Sequence, residues 1–509
     1  MTDVLRGLSP TELWSHFADL TQIARPSKHE QPAIEYLVQW AESRSLRYAT
    51  DDTGNLCVYV PATSEREDAP LVVLQGHVDI VASNAADRPA GADAVEGKIP
   101  MLRVTCEDDD RWHEDETGDW IMAPHTTLGA DNGIGVSFAL AAAEDDGADH
   151  GPLALLFTVD EEQGLTGAKG LDPKLLDGAA YLINLDNEDD DTFTVGCAGG
   201  LDLELTLDGS RTPLAAEQVC ISLSVAGLRG GHSGIDIHRG RANAIRLLAV
   251  LLDKIREATV VRVDMVQGGD LRNAIPRSAN ARLFMPHQDE TRIKELVEDM
   301  STSFRKEFRG RDDAIDVSLD VETEDVSRDA FSDEASKSLI DLLAALPTGV
   351  AAMCADAPDL VETSDNLAIV TTDGSQVTIV CSCRSSSATA LREIGDRISS
   401  IARAAGAEAR DTNGYPGWEP DFSSNLLAIC KRTYETLFPG SQLRIEAIHA
   451  GLECGALLAQ CPAMEAISIG PTIRGVHAPG ERVCISSVQK SYQLLLGVLR
   501  ELSEPAELT

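Results

Sequence analysis

The chain has 509 residues, 43% of them apolar, enough for two to four domains with real cores at roughly 150 residues each. Its 43 basic residues against 83 acidic ones leave a formal net charge of -40, which repels a phosphate backbone and an anionic membrane surface alike. No run of Lys or Arg relieves that field, and the longest apolar stretches, 244–252 and 152–159, are about half the ~20 residues a bilayer span requires, so neither nucleic acid nor membrane is an expected partner.

The opening MTDVLRGLSPTELW has no apolar core flanked by basic residues, so neither a secretory nor a transit signal is expected. Residues 32–46 carry Ile34, Leu37, Val38 and Ala41 at helical spacing. The short apolar runs 71–78, 153–159 and 179–185, bounded by Gly, Pro or Asp, read as buried strands, with a helix over 133–144 between the first two. This alternation predicts an α/β domain with a mostly parallel sheet flanked by helices. After GCAGGLDLEL the apolar and polar residues alternate as in half-exposed antiparallel strands, at LTLDGS, QVCISLSVAGL, 280–285 and 376–384, with amphipathic helices at 243–257 and 291–308. NGYPGWEPD at 413–421 marks a return, and a final helix is expected over 487–502. The simplest organisation is a first α/β segment over 1–205, an inserted α+β domain over 206–410 and a second α/β segment over 411–509. Eleven cysteines, an odd number scattered from Cys57 to Cys484, fit the reduced thiols of a cytoplasmic protein better than a disulfide framework.

The chemistry gathers at the strand ends. His77 and Asp79 lie two apart at the close of one strand, so they project to the same side. Asp131 sits in the Gly-rich LGADNGIG turn, Glu161 and Glu162 follow the second strand, and Asp186 closes the third. Ligands gather at the carboxyl edge of open α/β sheets. Clustered carboxylates without a compensating base repel one another, and a bound cation removes the repulsion. Imidazole with carboxylate suits zinc, cobalt or manganese. His77, Asp131, Glu162, Asp186 and a second His fit two metals sharing one carboxylate, at ~3.5 to 4 Å separation. His477 in GVHAPGER, in a Gly- and Pro-flanked loop, is the best second His, which leaves Glu161 as the general base. Cys381, Cys383, Cys454 and Cys461 lack paired C-x-x-C spacing and read as buried thiols, and His113 and His125 read as solvated residues of an acidic loop.

GHVDIV, TTLGADNGIG, TVDEEQGLTGA, INLDNED, GGHSG, RNAIP, HAGLECG and HAPGER, in this order and over nearly the whole chain, resemble the aminoacyl-histidine dipeptidases. These enzymes, also called Xaa-His dipeptidases or peptidase D, form a branch of the two-zinc aminoacylase and carnosinase-like metallopeptidases. The resemblance implies that His77, Asp131 and Asp186 hold one zinc and Asp131, Glu162 and His477 the other. Asp79 then orients His77, and Glu161 takes a proton from the attacking water and passes it to the leaving amine. It further implies that the inserted block is a lid and homodimerisation domain, that His232 steadies the oxyanion, and that Asn273 and Arg384 grip the substrate carboxylate. The implied substrates are unblocked dipeptides, Xaa-His and β-alanyl-histidine among them; an N-acyl amino-acid deacylase shares the same metal site, and a non-catalytic peptide- or metal-binding relative is the remaining alternative. His449 and Glu453 in HAGLECG read as residues that support the metal site from behind or line the substrate pocket, and neither is assigned to metal.

Only ten of the 43 basic residues are Lys, and acids run together at 107–110, 144–146 and 188–191. An ordinary solvated acidic surface and a halophilic one, adapted to concentrated salt where the Debye length shrinks to ~3 Å at 1 M, both fit this pattern. The salt-adapted reading predicts a melting temperature that rises from dilute to molar KCl; an unchanged one removes it.

Overall fold

In the computed structural model the described residues are 3–106, 117–214, 218–322, 329–355 and 357–504. Two compact units emerge, one of Met1–Gly196, Pro420–Ala447 and Leu452–Thr509, the other of Cys197–Glu419 and Ile448–Gly451. The second unit is therefore wider than 206–410. Its strand Gly199–Asp208 pairs with both Gln376–Ser385 and Glu408–Tyr415, which draws in the flanking residues. Ile448–Gly451, expected with the α/β segment, belongs there too: the Ala198 N–H donates to the Ile448 carbonyl at 3.0 Å, and Ser364 Oγ lies 2.7 Å from His449 Nε2.

The first unit carries an eight-stranded sheet in the order Arg47–Thr50, Leu56–Val60, Leu153–Thr158, Leu71–His77, Ala179–Asn184, Glu465–Ser468, Thr192–Cys197, Arg444–Ile448. Leu71–His77 pairs in parallel with both neighbours, and Glu465–Ser468 extends the parallel block. Interior parallel strands are covered on both faces, which is why these segments read as unbroken apolar runs. Leu74, Leu155, Phe157 and Ile183 are fully buried, each worth roughly 1.5–3 kcal/mol relative to exposure. Each of the three expected strands stops one residue earlier than its apolar run. Helix Ala130–Glu144 packs on the Leu71–His77 strand so closely that a β-carbon on Gly76 would collide with Asn132 Oδ1.

No element is expected over 99–125, but a small antiparallel sheet forms there from Leu102–Thr105, Asp119–Met122, Arg482–Cys484 and Ile473–Arg474. Val483 sits opposite Ile121, so the HAPGER loop is anchored beside the segment that leads to Asp131.

The second unit is a nine-stranded antiparallel sheet with helices Ala244–Ala258, Glu290–Glu307 and Ala388–Ala404 packed on its strands. Asn243 starts the first of these by accepting the Arg246 N–H at 3.1 Å, satisfying one of the helix's orphan donors. Cys381 and Cys383 are buried in this core, and burial pushes both thiols up, so they behave as inert reduced side chains. Among the described residues no helix is long and apolar enough to cross a membrane.

Gly76→Ala should cost about 1–3 kcal/mol, seen as a lower denaturant midpoint at unchanged slope. A wild-type midpoint would show that Asn132 can move aside.

Candidate functional site

Three parallel strands finish side by side in the first unit. His77 closes one; beyond Thr158 the chain turns through Asp160, in the left-handed region at φ 52°, and starts a one-turn helix at Glu161 and Glu162; Asp186 follows Asn184. Asp131 lies at the mouth of the fourth element. Gly129 turns the chain at φ +71°, where a β-carbon would also press Arg25 Nη2 at 2.8 Å, and Asp131 itself is non-helical (φ -82°, ψ 111°), so its side chain leaves the helix line.

The two carboxylate oxygens of Asp131 face different imidazoles. Oδ1 lies 3.0 Å from His77 Nε2 and Oδ2 lies 3.0 Å from His477 Nε2. Asp186 Oδ1 completes one side at 3.4 Å from His77 Nε2, and Glu162 Oε2 the other at 2.8 Å from His477 Nε2. The structure thus gathers His77, Asp131 and Asp186 in one group and Asp131, Glu162 and His477 in another, each with donor atoms within 4.8 Å of one another; Glu161 groups with His77 and Glu162.

The protonation pattern follows from the partners. His77 Nδ1 faces the Asp79 carbonyl at 3.1 Å, a pure acceptor, so Nδ1 carries a proton; burial opposes a charged ring, but Asp186 and Asp131 at Nε2 and Asp79 outweigh it and raise the imidazole well above its usual range. Asp79 also accepts from Ser27 Oγ at 2.8 Å and from the Glu161 and Glu162 amides at 3.0 and 3.3 Å. Burial opposes its ionisation, but His77, these amides and Ser27 outweigh it and hold the carboxyl at about 2. With no divalent ion present, His477 is held protonated to about 11 by hydrogen bonds to Asp131 and Glu162. Glu162 Oε1 is buried without a hydrogen-bond partner. Two imidazole nitrogens converging on shared carboxylates, one orphaned oxygen and a nitrogen–oxygen donor set fit a pair of divalent transition ions. Burial, then the charges of Asp186, Glu453 and Glu162, push the Glu161 carboxyl well above the usual range, against the pull of His77.

Three buried residues hold this centre: Glu481 and Arg25, to which the sequence assigned no role, and Glu453, read as supporting the metal site or lining the substrate pocket. Glu481 accepts the N–H groups of Leu128, Gly129, Ala130 and Asp131 at 2.8 to 3.3 Å, a nest that fixes the loop carrying Asp131. Arg25 donates to the Val78 carbonyl at 2.8 Å and the Gly129 carbonyl at 2.7 Å, tying the His77 strand to the same loop. Glu453 receives Gln75 Nε2 at 2.6 Å and Thr158 Oγ1 at 2.8 Å beneath the strand ends. The signals were in HAPGER, RPSKHE and HAGLECG, but nothing in spacing tells a buried carboxylate that grips amides from one that grips metal.

Of the remaining expected residues, His232, Asn273 and Arg384 belong to the second unit. Gly231–His232 pairs with Ala274–Ile275, and Asn273 and Arg384 line one cavity of about 370 Å³ with Asp202 and Tyr415. Arg384 Nη1 donates to Tyr415 Oη at 2.7 Å, while its Nε is buried without a partner. His232 Nδ1 accepts the Gly234 and Ile235 amides at 3.2 and 3.1 Å, so the neutral ring carries its proton on Nε2. Burial and the Arg384 charge lower its pKa and favour that neutral form. His449 is held neutral in the same way, at about 4. His125 is half-exposed, 3.7 Å from Asp87; His113 lies outside the described residues.

Glu481→Gln puts an amide NH₂ against backbone donors. Metal affinity should fall about 10- to 100-fold, read by competition with a chromophoric chelator, with a lower melting temperature. If both stay at wild-type values, the nest is dispensable.

Residues 223–312 match the peptidase dimerisation domain of the M20 peptidases. The chain is 36% identical to the cytosol non-specific dipeptidase of Escherichia coli (strain K12), over 98% of this chain and 99% of that one. The crystal structure of aminoacylhistidine dipeptidase from Vibrio alginolyticus superimposes with a TM-score of 0.89 at 35% identity, covering 99% of both chains. Aminopeptidase PepT from Bacillus cereus shares the fold, with a TM-score of 0.54 at 15% identity over 98% of this chain and 100% of that one. The chain belongs to the aminoacylhistidine dipeptidase family of M20 metallopeptidases, a family of peptide hydrolases.

Proposed function

We propose that this chain hydrolyses unblocked dipeptides, Xaa-His and β-alanyl-histidine among them, with two divalent ions held by His77, Asp131 and Asp186 and by Asp131, Glu162 and His477. The observation that carries the reading is Asp131, whose two oxygens face two imidazoles 3.0 Å away on opposite sides. Zinc, cobalt or manganese bound there supplies Lewis acidity to the peptide carbonyl and to the attacking water.

The remaining chemistry falls to side chains. Glu161 accepts the water's proton as its oxygen attacks the carbonyl carbon, then delivers that proton to the leaving amine. Asp79 keeps His77 in the tautomer whose Nε2 faces the ions. His232, neutral with its proton on Nε2, serves as a donor to the oxyanion; one such donor is typically worth about 10² to 10³ in rate. Arg384, with Asn273 lining the same cavity, receives the substrate carboxylate on a permanently charged fork. The match to a peptidase dimerisation domain supports a homodimer built through the second unit. A cytoplasmic location accords with the inert buried thiols and with the cytosolic relative. The salt-adapted surface belongs to the same proposal and rests on the charge of -40 alone.

Glu161→Gln should keep two metal equivalents per chain and lower kcat by about 10² to 10⁴; substantial turnover at full metal content overturns its role as base. The base works ionised and burial favours its protonated form, so kcat/KM should fall on the acid side of the pH profile. That limb should be missing from the residual activity of the variant. The substrate class is tested by a dipeptide panel beside an N-acetyl amino acid, with zinc, cobalt or manganese, with and without chelator, in molar salt. Cleavage of the acetylated substrate alone makes the chain a deacylase, and silence throughout rejects hydrolysis.

A further inference from the structure

A second set of carboxylates in the first unit joins Asp79 to two acids, Glu30 and Asp160, that the proposed chemistry does not use. Glu30, Asp79 and Asp160 each present an oxygen within 4.8 Å of the others, at 7%, 0% and 7% exposure. Glu30 Oε1 accepts the Lys28 and Asp160 amides at 2.6 and 3.1 Å, and Asp79 has the partners given above. Asp160 Oδ2 takes the Thr166 hydroxyl, which leaves Asp160 Oδ1 buried with no partner at all. Neither Glu30 nor Asp160 forms an ion pair with a described Lys or Arg. His77 is committed to Asp79 and to the ligands across from it.

A donor set made only of oxygens suits a hard cation rather than zinc. Oxygens bound to calcium at about 2.3–2.6 Å lie at most ~5 Å apart, the spread found in this cluster. A cavity of about 630 Å³ bordered by Pro26, Lys28 and Val159 reaches Glu30. We propose that Glu30, Asp79 and Asp160 bind one hard divalent cation of the calcium type, distinct from the two catalytic ions. Asp160 precedes Glu161 in a left-handed turn and Asp79 orients His77, so a cation held between them braces both arms of the catalytic centre from behind.

The test uses the full chain loaded with two zinc equivalents, in molar KCl to screen calcium from the acidic surface. Equilibrium dialysis with radioactive calcium should find one calcium per chain in addition to the zinc, with a calcium-dependent rise in melting temperature. Asp160→Asn and, independently, Glu30→Gln should weaken calcium binding at least ten-fold and remove that rise, while elemental analysis still finds two zinc. If one variant does not fold, the other carries the test. No calcium uptake by the unmodified chain overturns the proposal. Uptake that both variants leave unchanged puts the calcium on the general surface and overturns it equally. Zinc content, read in the same samples, separates this outcome from a failure of the catalytic reading.

Discussion

Like charges at close quarters set the terms for the first unit. Two unit charges ~4 Å apart repel by about 4 kcal/mol at an effective dielectric near 20. At the carboxyl edge of the sheet the chain places Asp131, Asp186, Glu161 and Glu162 around two imidazoles, with Asp79 and Glu453 directly behind. The protein cannot relax this crowd by turning side chains outward, because the strands that deliver them are the interior of a parallel sheet. In the proposed function cations do it, and the surrounding hydrogen bonds hold the oxygens in place.

That holding is done largely by backbone. Glu481 is not exposed at all, and its carboxylate binds four consecutive amides; Asp79 takes two amides and Glu30 two more. Amides are fixed donors that cost no side-chain entropy, and they stabilise a carboxylate without supplying a counter-charge that would compete with metal. Arg25 is the exception, a buried guanidinium brought down to about 10 by burial although Glu481, Asp79, Asp131 and Glu162 all pull it upward. It directs its hydrogen bonds to carbonyls, and so adds positive field without occupying a ligand position.

The parallel strands and the residues at their ends were legible in the sequence because burial on both faces imposes an apolar run, and a charged residue terminating such a run is conspicuous. The pairing of Asp131 with both His77 and His477 was legible only through the resemblance, since 346 residues separate Asp131 from His477. Hidden altogether were the small sheet that anchors the HAPGER loop, whose strands are two to four residues long, and the assignment of Ile448–Gly451 to the second unit. Such short pieces have no periodicity of their own; tertiary contacts decide them. The three residues that hold the centre stayed hidden for a related reason: an acid or Arg inside a motif declares its chemistry but not its partner.

The same anchoring has a consequence for how the molecule comes into being. Strands from residues 71 to 184 deliver Asp131, Asp186 and both glutamates early in synthesis, yet the nest at Glu481 and the imidazole of His477 arrive only after the whole second unit has been made. Until the ribosome has passed residue 484, one group lacks its imidazole and the Asp131 loop lacks its clamp. A nascent chain is therefore without the assembled cluster, which forms only once residues beyond 484 have joined the strands made first.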